Sequence, residues 1–214
     1  MTTFGTSAYL KLLALNPAPR DSEVRRRLSP RKGGYDFHKQ MRRIATEYAS
    51  GAFDWKMAEL KFKQIKRLPE RTSAISAAIA LRDWVDGRPI NLISESAIDT
   101  SSPNGIYAVR FWPDFQIDLN GTTTNVHIWN TFRPSITLRE AIGTLGLFID
   151  DENPASLAIL CLRTKEIYQT TDVSAARELA RILALDVERR FIRISTELAV
   201  EDRKDRGVEK RPKA

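Results

Sequence analysis

The chain has 214 residues, 42% hydrophobic and 29% charged, a globular composition that excludes a largely disordered protein. Its single cysteine, Cys161, excludes an internal disulfide, and no apolar run approaches the length of a membrane span. The net charge is +7 and unevenly placed: residues 1–70 hold 15 Lys/Arg against 7 Asp/Glu, residues 71–200 hold 13 against 16, and residues 201–214 hold 6 against 4. A basic first third points to an acidic partner, most commonly nucleic acid, with a solvated basic surface as the plain alternative.

The N-terminal "MTTFGTSAYLKLLALNPAPR" has no basic leader ahead of its short apolar stretch, so a cytoplasmic location is expected. Ser7 is placed to cap a short helix over "AYLKLLAL", which "NPAP" ends. "DSEVRRRLSPRKGGYDF" then reads as a helical turn and a basic loop, with Arg25, Arg26, Arg27, Arg31 and Lys32 around Ser29-Pro30 and Gly33-Gly34. Phe37, Met41, Ile44, Ala45 and Tyr48 make one apolar helical stripe that Gly51 stops. Asp54 caps a lysine-bearing helix over "WKMAELKFKQIKRL", with Pro69 as terminator, and a third helix runs to Gly87.

Beyond Gly87 the pattern changes. A Ser/Pro/Asn-rich connector holds a short strand at "INLIS", and "IYAVRFW" and "FQIDL" are strand-like. Asn120-Gly121 signals a hairpin whose return strand is "NVHIW". Thr137 and Glu140 stand in capping-box spacing at the start of a helix. "SLAILCLRT" and "EIYQT" form another strand pair, and a long helix begins near Val173. The expected class is α+β: an N-terminal helical segment, then a mixed sheet with an Asn-Gly hairpin flanked by helices. The expected divisions are a basic helical region at 1–87, a β-β-β-α-β-β-α domain at 88–200, and a disordered tail at 201–214.

Several chemistries are excluded on motif grounds. One Cys and two His, His38 and His127, lack zinc-ligand spacing. There is no P-loop, no G-x-G-x-x-G and no G-x-S-x-G, and neither histidine has an evident triad partner along the chain. No cofactor is expected. The hairpin remains, with Asp114 and Asp118 on one arm and His127 on the other. Two acids and an imidazole facing one way could hold a divalent metal and a water. The simpler reading makes Asp114 the cap of a bend after Pro113 and Asp118 the start of the Asn-Gly turn. Tyr107, Phe111, Trp112, Phe115 and Trp129 crowd the same region. They fill a core, or they present a platform for bases or for a protein partner.

The run "VRFWPDFQIDLNGTTTNVHIWNT…PSITLREAIGTLGLF…SLAILCLRTKEIYQ" resembles the core of the PD-(D/E)XK nuclease superfamily over about residues 105–185. The resemblance implies an acidic hairpin, a helix across it, then further strands and a helix. It also implies Mg²⁺ held by an Asp and a Glu-x-Lys. Asp114 or Asp118 matches the Asp, but the Glu-x-Lys position carries Asn125-Val126-His127 or His127-Ile128-Trp129. The second carboxylate and the lysine are missing, so the scaffold is expected to be catalytically degenerate and metal-free. The chain also resembles bacterial proteins that join an "RKGGYDFH" segment to a "PDF…HIWNT" hairpin.

The expectation is thus a non-enzymatic, nucleic-acid-associated protein gripping the phosphate backbone through Arg25, Arg26, Arg27, Arg31, Lys32, Lys63 and Lys66. Asp114, Asp118 and His127 would be its vestigial site. A protein-docking module working through the hairpin aromatics and a metal-dependent nuclease are the alternatives. No membrane association is expected.

Overall fold

The computed structural model describes residues 1–29, 37–93, 97–149 and 156–208. Arg31 and Lys32 lie outside them. The protein is α+β, as the sequence pattern predicts, but its strands form two sheets.

In chain order the elements are β1 (Thr2–Gly5), α1 (Thr6–Ala14), α2 (Pro17–Leu28), α3 (Lys39–Ala49), α4 (Trp55–Lys63), α5 (Leu68–Val85), β2 (Ile90–Leu92), β3 (Ile98–Ser101), β4 (Tyr107–Phe111), β5 (Phe115–Leu119), β6 (Thr122–Trp129), α6 (Leu138–Leu145), β7 (Ser156–Cys161), β8 (Glu166–Gln169) and α7 (Val173–Val208). The small sheet has the order β1-β4-β3, with β1 parallel to β4. The large one has the order β2-β5-β6-β7-β8, with β6 and β7 parallel around α6 and the other neighbours antiparallel.

Four elements, β1, α2, α5 and α7, correct the sequence reading, and five strands of residues 88–200 precede α6 where the expected β-β-β-α-β-β-α order has three. β1 was not expected, because four residues are too few to show a period. The prolines at 17 and 69, expected as terminators, open α2 and α5 instead. A first-turn residue has no intrahelical partner for its N–H, so proline loses nothing there. The tail expected from 201 is helical as far as Val208, and Glu201 pairs with Arg25.

Strand alternation divides the interior. Along β6 and β7, Trp129, Leu157, Ile159 and Cys161 face one way, into a core shared with α1, α6, α7 and β4. Val126, Ile128, Ala158 and Leu160 face the other way, against α3 and α5. The boundary expected at residue 87 therefore does not separate two cores: residues before and after it share each one. Within the first core Tyr9 and Tyr107 share a hydroxyl contact of 3.2 Å. Burial raises both phenols, Tyr9 to about 12, so both stay protonated at neutral pH.

Two glycines set how closely α6 approaches α7. A methyl group on Gly143 would overlap the Leu183 side chain, and one on Gly146 would overlap the Ala176 backbone carbonyl. A flexible leucine tip can move, but a helix backbone cannot. Gly146 is thus required by the packing.

Candidate functional site at the junction of the sheets

The chain leaves the small sheet at Phe111 and enters the large one at Phe115. The link, Trp112-Pro113-Asp114, crosses the start of α1. Thr6 Oγ1 donates to the Arg110 carbonyl at 3.0 Å and accepts from Trp112 N at 3.3 Å. Asp114 N donates to the Val126 carbonyl at 2.8 Å, extending the β5–β6 ladder by one residue. At the next position the Asp114 carboxylate takes over, with Ile128 N donating to Oδ2 at 2.7 Å. A side chain thus completes a backbone ladder, which fixes the carboxylate against β6.

Two cationic or proton-bearing groups meet that carboxylate. Arg42 Nε of α3 lies 3.1 Å from Oδ1, and His127 Nδ1 lies 3.1 Å from Oδ2. His127 Nδ1 also lies 2.9 Å from the Trp112 carbonyl. Both neighbours of Nδ1 are pure acceptors, so Nδ1 carries the proton. The neutral imidazole then has its lone pair on Nε2, which lies 2.8 Å from Ser7 Oγ. Ser7 donates to it. The result is a continuous hydrogen-bonded chain from Ser7 through His127 to the Trp112 carbonyl, with Asp114 Oδ2 beside Nδ1. His127 is 3% exposed and the Asp114 side chain 9%, while Ser7 is only partly buried and closes the chain at its outer end.

Ser7 is the second residue of α1, not its cap; Gly5 holds the cap position and offers no side chain. Among the described residues no side chain caps the first-turn N–H groups beside Ser7.

Asp118 belongs elsewhere. Its Oδ1 accepts from Gly121 N at 2.8 Å across the turn, where Asn120 and Gly121 have φ of 54° and 81°. Its role is the one the simpler sequence reading gave it. Asn125 accepts across the hairpin from Gln116 at 2.9 Å. A hard divalent cation wants several free oxygens. Here both Asp114 oxygens are engaged, and among the described residues no three His, Cys, Asp or Glu side chains converge.

The basic candidates divide. Arg25 is paired with Glu197 and Glu201 of α7, each at 2.9 Å, and Arg26 and Arg27 are both paired with Glu23. Lys63 and Lys66 are exposed. Of the five aromatics, Tyr107, Phe111, Phe115 and Trp129 are core residues, and only Trp112 is exposed, at 53%. A further exposed aromatic, Phe132, follows β6. The guanidinium carbons of Arg133 and Arg163 lie 5.6 and 5.2 Å from its ring centroid.

Sequence reasoning missed Ser7 and Arg42 as members of the site. Ser7 is 120 residues from His127, and Arg42 reads as a polar position on an amphipathic helix. The one local signal was a small Gly-Thr-Ser turn between a strand and a helix, which needed β1 to be recognised first.

No family model matches the chain, and no curated protein matches it. Among solved structures, that of SSO0001 is similar over 81% of this chain and 84% of its own, at 16% identity and a TM-score of 0.29. A likeness that loose carries nothing on fold or function.

Proposed function

We infer that this is a nucleic-acid-associated protein that grips the phosphate backbone and stacks an unpaired base, without metal-dependent cleavage at the hairpin. The observation that carries the reading is Phe132, 66% exposed and flanked by the guanidinium groups of Arg133 and Arg163. Exposed aromatic rings beside cations are what single strands need: a face for a base and charge for the adjoining phosphates. Asn130, two residues earlier, donates to Ser73 Oγ at 3.2 Å in the second turn of α5. The Phe132 loop therefore runs along the start of that helix, which Lys66 precedes, and Lys66 and Lys63 extend the cationic surface. The order β5-β6-α6-β7, with a parallel β6–β7 pair, agrees with a nuclease-like scaffold. Asp114, the carboxylate that would bind metal there, instead has Arg42 Nε and His127 Nδ1 at 3.1 Å from its two oxygens.

The test is anisotropy of labelled single-stranded oligonucleotides over a salt series. Affinity should fall steeply with salt, because bound counterions are released. Phe132→Ala should weaken binding by about tenfold, the effect of losing one stacked base, and leave the salt slope unchanged. Arg133→Ala with Arg163→Ala should lower the slope. Salt-independent binding, or a Phe132→Ala chain that binds like the wild type, would sink the reading.

A further inference from the structure

The group of Ser7, His127 and Asp114 has an arrangement that phosphate binding does not call for. A serine that merely ties α1 to the sheet could bond to any backbone carbonyl. This one donates to the unprotonated nitrogen of an imidazole whose other nitrogen is held by a backbone carbonyl, with a carboxylate 3.1 Å away. That is the arrangement that activates a hydroxyl, whatever fold carries it.

We propose that Ser7 is a nucleophile activated by His127, and that the protein hydrolyses carboxylic esters at this position. His127 is the general base, the Trp112 carbonyl accepts from Nδ1 and fixes the tautomer, and Asp114 is a positioning residue whose carboxylate lies beside the ring at 3.1 Å. Arg42 keeps Asp114 in place by holding its second oxygen.

The step balances with water as the only co-reactant. Ser7 Oγ bonds to the ester carbon while its proton passes to His127 Nε2, and the carbonyl π pair moves onto oxygen. The uncapped N–H groups of α1's first turn lie on the same residues as the nucleophile and carry the positive end of the helix dipole, so they suit that oxyanion. Collapse breaks the bond from carbon to the alcohol oxygen, which leaves with the proton from Nε2. Water then attacks the acyl-serine, gives a proton to Nε2, and the proton returns to Ser7 as the carboxylic acid departs.

Access fits the order of burial. Ser7 is the partly exposed end, and His127 and Asp114 stand behind it in the interior. The substrate meets the nucleophile first, and the base stays out of bulk water.

The native full-length chain is incubated with a fluorophosphonate probe and with p-nitrophenyl acetate. The fluorophosphonate reacts as the ester would, with Ser7 Oγ bonding to phosphorus and fluoride leaving with the proton. Peptide mass spectrometry should find the adduct on Ser7 at least tenfold above every other serine, and heat-unfolded protein should lose it. Nitrophenolate release should fall at least tenfold in Ser7→Ala, while oligonucleotide binding by that variant is unchanged. Because the adduct is read on the wild-type chain, the result does not depend on any variant folding. Ser7→Cys gives a second reading: its thiol should alkylate with iodoacetamide faster than the buried Cys161. No selective adduct on Ser7 in the folded wild type would overturn the proposal and leave the hydrogen bond as a tether between α1 and β6. So would ester turnover that survives Ser7→Ala. Neither outcome bears on the oligonucleotide experiment, so the two readings fail separately.

Discussion

The arginines of α2 and those around Phe132 are chemically alike and meet opposite fates. On α2, Arg20, Arg25, Arg26 and Arg27 all enter ion pairs, the first two with α7 and the last two with Glu23. Asp186, Glu197 and Glu201 of α7 face that helix, and Asp21 of α2 returns the exchange to Arg190 and Arg193. Around Phe132, Arg133 and Arg163 lie against an aromatic ring, and among the described residues neither meets a carboxylate. A cluster of cations in a sequence is thus only an offer. The helix packed opposite decides whether the charge is spent inside the molecule or left for a partner.

The largest expected effect tests whether α7's seat maintains this contrast. Gly146→Ala would drive a methyl group into the Ala176 carbonyl, in a backbone that cannot yield. Overpacking of this kind costs about 3 kcal/mol. The melting temperature should fall by several degrees, and Gly143→Ala, whose obstacle is a leucine side chain, should cost less. Equal losses in the two variants would mean that α6 and α7 shift apart freely, and the ordered pairing of α2 with α7 would lose its foundation.

The contrast itself is read in binding. Replacing Arg133 and Arg163 by alanine should weaken oligonucleotide binding by about tenfold, or about 1.4 kcal/mol at two phosphate contacts. Replacing Arg25, Arg26 and Arg27 together should change it by less than about twofold, since those charges are already matched by carboxylates. If the α2 variant were the weaker binder, the ion pairs would be opening to admit phosphate, and the distinction between the two regions would collapse.

Comparably modest, but dependent on pH, is Glu188. This buried carboxylate of α7 accepts from Asn104 N at 2.8 Å and Asn104 Nδ2 at 2.6 Å, tying the β3–β4 loop to the helix. Burial pushes its pKa up, but hydrogen bonds from Ser102 and Asn104 outweigh it and hold the group below the usual carboxylate range. A depressed folded value stabilises the protein above the unfolded pKa and ceases to do so as pH falls through the folded one. Glu188→Gln should cost about 1 kcal/mol at pH 7 by weakening two charge-assisted bonds. Its deficit should shrink in acid, once the wild-type glutamate is protonated too. A deficit that stays constant from pH 7 to pH 2 would show that the charge contributes nothing.

Much of this was legible in the sequence for a physical reason: it was local. The Asp54 cap, the Thr137–Glu140 capping box and the Asn120-Gly121 turn each depend on residues within four positions, and each stands as read. The α+β class followed from periods of 3.6 and 2 over long stretches. What could not be read was pairing at a distance. β1 is recognisable only once β4 lies beside it, and Ser7 becomes more than a helix residue only when β6 brings His127 to it. The two prolines misled because proline's effect depends on its place in a turn, which composition does not state. Asp114 and Asp118 looked equivalent by spacing. The buried side of the β4–β5 link took one and the exposed turn took the other.

The smallest effect probes the ion pairs of α2 directly. Arg25 bridges two turns of α7, reaching Glu197 and Glu201, and all three side chains are at least 40% exposed. Exposed pairs give back much of their attraction in lost side-chain freedom and in solvent screening, so each is worth well under 1 kcal/mol. Glu197 also keeps Arg193 at 2.9 Å when Arg25 is removed, whereas Glu201 pairs only with Arg25 among the described residues. The informative coupling is therefore between Arg25 and Glu201. A double-mutant cycle of Arg25→Ala and Glu201→Ala, followed by urea unfolding, should give a coupling of about 0.5 kcal/mol, and it should shrink in about 1 M salt as the Debye length falls to about 3 Å. A coupling near zero would mean that Glu201 contributes nothing at the end of α7. A coupling above about 2 kcal/mol that resists salt would mean that the pair is shielded from solvent and that the ends of α2 and α7 form a tighter seam than their exposure shows. Either result would move the boundary between spent and available charge, the first by freeing Arg25 for a partner and the second by committing it more firmly to the fold.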